Sequence, residues 1–191
     1  NYGMSNSGMI KTIYRKGLSA RYGSLMQTIA GLHYNFSFSD KFFNILLSLE
    51  ENKNEKELKN EVYLHIARNF KRLGWLYFFL YGASPAVCDS FVEKNKHDLE
   101  SLSGGGLYKP NSTSLRMGDL GYISKAQDDL NISYNTLDDY CLDLENALTT
   151  PYKAYQEIGE FVDDKRVQLN TSVIQIENEY YSTIRPKRVC P

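Results

Sequence analysis

Along the run LMQTIAGLHYNFSFS, Leu25 to Ser39, the side chains alternate in character. An extended chain sends successive residues to opposite faces. Gln27, Ile29, Gly31, His33 and Asn35 then share a small, polar face, while Met26, Thr28, Ala30, Leu32, Tyr34, Phe36 and Phe38 share an apolar one. Neutral imidazole is a good ligand for transition metals and a usable one for a divalent cation shared with phosphates. A hard cation such as Mg²⁺ prefers oxygen donors, so His33 would need carboxylates beside it. Two readings stand for His33: a hydrogen-bonded structural histidine, or a ligand on the floor of a polar cavity that Gly31 leaves open.

The carboxylates Glu177 and Glu179 are two residues apart in a second strand-like run, so an extended chain would aim both into one space. Such a pair suits a metal or a proton transfer; the plainer alternatives are a solvated face or salt bridges to Arg185 and Lys187. In STSLRMGDLGY, Arg116, Asp119 and Tyr122 lie close together, and an arginine there could grip a carboxylate with two parallel bonds or simply sit on the surface beside a helix cap. The triplet Gly104 to Gly106 does not match a phosphate-binding fingerprint and reads as a flexible loop. His65 and His97 read as surface or packing residues. No Ser-His-Asp or Cys-His set has a spacing that suggests nucleophilic catalysis.

These groups need elements to position them. GMIKTIYRKGLSARY, Gly8 to Tyr22, places Ile10, Ile13, Tyr14, Leu18 and Tyr22 at helical spacing, with Gly23 as its end. SDKFFNILLSLEEN reads as a short helix started by Ser39 or Asp40. Asn54 followed by Glu57 reads as the cap of a long helix from about Glu55 to Tyr81. Ser84 and Pro85 suit a helix restart, and SLSGGGLYKPNSTS reads as a loop. TLDDYCLDLENAL is a further helix, and TPYKAYQEIG a short one with Thr150 as cap, Pro151 at its start and Gly159 past its end. KRVQLNTSVIQIENEYYSTIR is strand-like. Strands near the chain ends with helices between them give an α+β fold, in which the two polar faces could pair and line a shared cavity.

The chain has 191 residues and a formal net charge of -1, which suits one domain and argues against nucleic-acid binding driven by charge. A short basic cluster such as RPKR, Arg185 to Arg188, could still meet a phosphate. Cys88, Cys141 and Cys190 lie far apart with no CxxC pair, which fits a reducing compartment, each reading as a small buried hydrophobe. The most apolar run, Leu73 to Cys88, is interrupted by Gly74, Gly82 and Pro85 and is shorter than the ~20 residues that span a bilayer, so no membrane segment is expected. The opening NYGMSNSGMI shows no signal peptide and no initiator Met, and IRPKRVCP closes without a tail, so a piece of a longer protein is expected.

Four stretches in this order, YGMSNSGMIKTIYRKGLSARYGSLMQTIAGLHYNFS, RNFKRLGWLYFFLYGASPAVCDSF, TSLRMGDLGY and VIQIENEYYSTIRPKR, resemble the bacterial glutamate–cysteine ligases of the monomeric type. The resemblance runs from Tyr2 to Arg188 and is weakest over 41–59 and 92–106. It implies a glutamine-synthetase-like fold, with a curved antiparallel sheet and helices packed on one side. Residues 1–191 would be a single domain, an internal segment of a larger catalytic domain. It also implies a cytoplasmic enzyme that uses ATP and Mg²⁺ to phosphorylate the side-chain carboxylate of glutamate, then joins it to the cysteine amine. Residue by residue, His33 resembles a histidine at the magnesium cluster and Asn35 a contact to the glutamyl part. Tyr14, Leu18, Gln27, Tyr122 and Tyr181 resemble the cysteine pocket, with Arg116 placed for the cysteine carboxylate. Arg15 resembles a cation that stabilises the transferred phosphoryl group.

Most of the carboxylates that hold magnesium in the family lie outside these 191 residues, so the segment alone is expected to be inactive. Cys88 matches a cysteine that pairs in some relatives, but its partner region NILLSLEEN has none, so a free thiol is expected. The alternatives are a non-catalytic module that binds an amino acid or γ-glutamyl peptide, and a ligase for another amine. The partners expected are small molecules, with no nucleic acid and no membrane, and the full-length enzyme is expected to be a monomer.

Overall fold

The computed structural model describes residues 2–28, 31–50, 52–92, 97–115 and 124–187. Helix α1 spans Asn6–Tyr22; the Ser5 hydroxyl accepts from the Gly8 N–H at 3.1 Å, and Gly23, with φ 82°, closes it. Helix α2, Asp40–Leu47, is capped by Ser39. Helix α3, Glu55–Leu73, starts on a reciprocal cap in which the Asn54 side chain takes the Glu57 N–H and the Glu57 side chain takes the Asn54 N–H. The long helix predicted to Tyr81 is two helices: Gly74 ends α3, and α4 runs Trp75–Tyr81.

Beyond α4 the helix predicted at Pro85 does not form. Ser84 instead turns its side chain onto the Ala86 N–H, and Ala86–Val87 is strand β1, followed by the short α5, Asp89–Val92. The segment read as a loop is a hairpin: β2, Glu100–Ser101, and β3, Leu107–Tyr108, pair antiparallel, with β1 on the other side of β3. Gly104, Gly105 and Gly106 have φ of 107°, 95° and 98°, so the triplet serves a turn that residues with a Cβ rarely enter. Helix α6, Leu137–Thr149, begins at its Thr136 cap. Helix α7 is Lys153–Ile158; Thr150 closes α6 instead of opening α7, and Pro151 bridges to Ser172. Strands β4, Phe161–Val162, and β5, Lys165–Arg166, form a second hairpin.

The class is α+β, with small antiparallel sheets among the described residues. Among the described residues neither long strand predicted from the sequence forms. Residues 25–28 wind into a 3-10 turn, 31–37 run exposed and unpaired among the described residues, and 177–179 form another 3-10 turn. Strand pattern without a neighbouring strand leaves the main chain no ladder to join.

The main core is built on α3, α6 and the C-terminal segment: Leu64, Ala67, Tyr140, Leu144, Ala147, Val173, Ile174 and Tyr180 are all buried in it. A smaller aromatic cluster joins Phe38, Phe42 and Phe43 to Tyr63. Cys88 and Cys141 are free, as expected for Cys88, but both are exposed and so are not the buried hydrophobes predicted; Cys190 lies outside the described residues. No helix among the described residues is long and apolar enough to cross a membrane.

Candidate functional site

One face of α1 carries Tyr14, Leu18, Arg21 and Tyr22, spaced so that a 3.6-residue turn aligns them. This face meets the C-terminal segment from Gln168 to Tyr181. The two ends of the chain do come together, through a helix instead of through paired strands.

Beneath the site is a buried ionic knot. Arg21 and Glu179 form an ion pair at 3.1 Å with both side chains 0% exposed. The other Arg21 nitrogens reach the Gln168 side-chain oxygen at 2.8 Å and the Asn170 carbonyl at 2.6 Å, while the guanidinium lies 4.1 Å from the Tyr155 ring centre. Glu179 also accepts from the Tyr22 hydroxyl and from the Gln175 N–H, each at 2.7 Å. Gln168 spends its amide donors on the Tyr155 and Gly159 carbonyls. A buried pair is tolerable only when its remaining donors and acceptors are met in this way.

The knot corrects the reading of the two carboxylates. Glu179 is buried and paired, whereas Glu177 is exposed, so they do not face one space. Arg185 meets the main-chain oxygens of Glu177, Asn178 and Tyr180 and no carboxylate among the described residues. The cause is the 3-10 turn over Glu177–Glu179, which destroys the two-residue period.

Above the knot stand the phenols. The Tyr14 hydroxyl lies beside the Tyr181 phenol, and burial, then the negative charge of Glu179, push the Tyr14 hydroxyl up to about 12. The Tyr181 ring meets Tyr22 edge-on at 6.2 Å. Leu18, one turn beyond Tyr14, is 2% exposed. The Gln27 amide donates to the Arg15 carbonyl at 3.2 Å, so the chain after α1 folds back on it. Neutral hydroxyls beside an apolar side chain can orient a small zwitterion and exchange hydrogen bonds with its ends.

The other candidates stand apart. His33 and Asn35 are exposed in the unpaired stretch after α1, and the Arg15 side chain is exposed on α1. Arg116 and Tyr122 lie outside the described residues. Among the described residues no group of three or more His, Cys, Asp and Glu is placed to hold a metal ion, so these residues by themselves do not fit a magnesium site. An open cleft of about 400 Å³ lies between α1 and the β4–β5 hairpin, lined by Lys16, Ser19, Asp163 and Lys165 among others; no sequence-derived candidate lines it. Sequence reasoning passed over Arg21, Gln168 and Gln127. Their partners lie far along the chain, and the one local signal was a cation in the last turn of a helix.

A family model described as glutamate-cysteine ligase matches residues 1–191. A glutamate–cysteine ligase of Alcanivorax borkumensis is 50% identical over 193 residues, covering 98% of this chain and 37% of the relative. One of Pseudomonas putida is 50% identical over 189 residues, covering 98% of this chain and 36% of the relative. The crystal structure of glutamate–cysteine ligase from Francisella tularensis in complex with AMP matches with a TM-score of 0.85 at 42% identity, over 99% of this chain and 37% of that one. The chain therefore spans about 37% of the length of the relatives it matches.

Proposed function

We propose, since this chain belongs to the glutamate–cysteine ligase family, that the protein it forms part of joins L-glutamate to L-cysteine with cleavage of ATP. The product is γ-glutamylcysteine, made in the first step of glutathione biosynthesis. Residues 1–191 would be one domain, an internal segment of the catalytic domain, in a cytoplasmic monomer. The observation that carries the reading at residue level is the meeting of Tyr14 and Tyr181 beside Leu18, three residues from opposite ends of the chain that family resemblance assigns to one pocket.

The chemistry has two steps. A side-chain carboxylate oxygen of glutamate takes the terminal phosphoryl group of ATP, releasing ADP and leaving an acyl phosphate. The cysteine amine then attacks the acyl carbon, the bond to the phosphate oxygen breaks, and phosphate departs as the nitrogen loses a proton. Arg15 would stabilise charge on the phosphoryl group in transit. Tyr14, Tyr181, Leu18 and Gln27 would hold cysteine with its amine toward the acyl carbon, joined by Tyr122 and by Arg116 at the carboxylate. Asn35 would contact the glutamyl part. Excluding water matters because the acyl phosphate hydrolyses if exposed. Mg²⁺ would supply charge neutralisation on the nucleotide, with His33 as one ligand and its other donors drawn from outside the described residues.

The test is ADP release by the full-length protein given ATP, Mg²⁺ and glutamate, with and without cysteine. Release that rises with cysteine, together with γ-glutamylcysteine in the product, is the expected result. Release indifferent to every amino acid offered as the amine would overturn the reading.

A further inference from the structure

The amide of Gln127 grips the main chain on both sides of Tyr180. Its nitrogen donates to the Glu179 carbonyl at 2.9 Å, and its oxygen accepts from the Tyr181 N–H at 3.1 Å. One donor and one acceptor, aimed at the carbonyl before a residue and the N–H after it, reproduce what the edge of a neighbouring strand would offer. The segment needs such a substitute because the strand predicted here does not form.

The clamp is itself anchored. Gln127 ends the 3-10 turn Lys125–Gln127; its N–H donates to the Ser124 carbonyl at 2.8 Å and its carbonyl accepts from the Leu130 N–H at 3.1 Å. Its two bonds therefore tie a fixed turn to the residue whose phenol meets Tyr14 and Tyr22.

We propose that Gln127 is a positioning residue for the amine substrate: it holds Tyr181 by the main chain so that its phenol stands against Tyr14. The proposal rests on the reading of Tyr181 as part of the cysteine pocket. Gln127 touches no substrate; it acts through the angle at which the Tyr181 ring leaves the chain. Small displacements of such a group are costly, since a shift of about 1 Å can lower a rate by about a hundredfold.

The test uses the full-length protein and three variants, Gln127→Met, Tyr181→Phe and the double variant, with KM read separately for cysteine, glutamate and ATP. Methionine keeps the length and apolar stem of the side chain and removes both hydrogen bonds. Gln127→Met is expected to raise the KM for cysteine about tenfold and to leave the other two unchanged. In the Tyr181→Phe background the same change should add little, because coupled residues are not additive. KM does not depend on how much of a preparation is folded, so a weakened variant still reports; Gln127→Asn, with its amide one methylene short, is read in the same way. If Tyr181→Phe raises the KM for cysteine but Gln127→Met does not, or if the two effects simply add, the positioning role is overturned and the pocket stands. If Tyr181→Phe leaves the KM for cysteine unchanged, the pocket reading of Tyr181 fails and the proposal fails with it.

Discussion

Tyr14, Tyr22, Tyr134 and Tyr140 each have a hydroxyl whose ionisation burial opposes first of all. Tyr14 and Tyr140 are pushed up to about 12, and the other two are raised as well. A folded-state value above the unfolded one means that the folded chain keeps the proton longer. The resulting stability is complete below about pH 10 and is lost as pH climbs toward 12. Each phenol adds to the loss of stability in that window, since the unfolded chain gives up the proton first. Phenolate absorbance and circular dichroism followed together should show these four titrating late and in step with unfolding. If every tyrosine ionised near pH 10 with the fold intact, the buried phenol cluster would be wrong. The sequence offered a partial view of this site. Tyr14, Leu18 and Tyr181 came from resemblance, and structure brings them together. The Arg21–Glu179 pair was illegible, since nothing local says that a carboxylate in a strand-like run will meet the last turn of the first helix.

Helix α1 owes its position to a glycine in its middle. Gly17 is buried against the Gln175 side chain, so closely that a Cβ there would collide with the amide. That amide cannot swing away freely, because its oxygen accepts from the Leu169 N–H at 3.0 Å and its residue is buried. Alanine in a helix is worth up to about 1 kcal/mol over glycine, whereas overpacking a filled site costs about 1–3 kcal/mol. Gly17→Ala should therefore destabilise, read as a lower urea midpoint at an unchanged slope; a gain in stability would mean that Gln175 yields without loss. Helices were the legible part of the fold because period, caps and stops are local: Ser39, the Asn54–Glu57 pair and Gly23 all end or begin helices as read. Strands were not, since period two describes a side-chain pattern and says nothing of whether a partner strand is present. Gly74, read as an interruption of the apolar run, was not read as a helix end because a glycine inside an apolar helical run is often simply tolerated.

At the scale of the molecule, the unusual surface is α4. Its sequence, WLYFFLY, is apolar all round, yet none of its residues is buried; Phe79 is 70% exposed and Tyr81 78%. A helix of that character is normally covered on every side, and an apolar face of this extent marks a contact surface. Leu32, Tyr34 and Phe36 add a second exposed apolar stripe on the stretch after α1. The relatives supply what a cover requires, since this chain matches only about 37% of their length. The prediction is a contrast in solvent labelling. Radical footprinting read by mass spectrometry should modify Trp75 and Phe79 readily in the isolated 191-residue chain and far more slowly in the full-length protein, at every concentration. Trp75 is the single tryptophan of the chain, so its modification is read without ambiguity there. Protection that appears only as concentration rises would assign the cover to a second copy instead. Equal labelling in both forms would show that α4 stays open in the whole protein and overturn the cover.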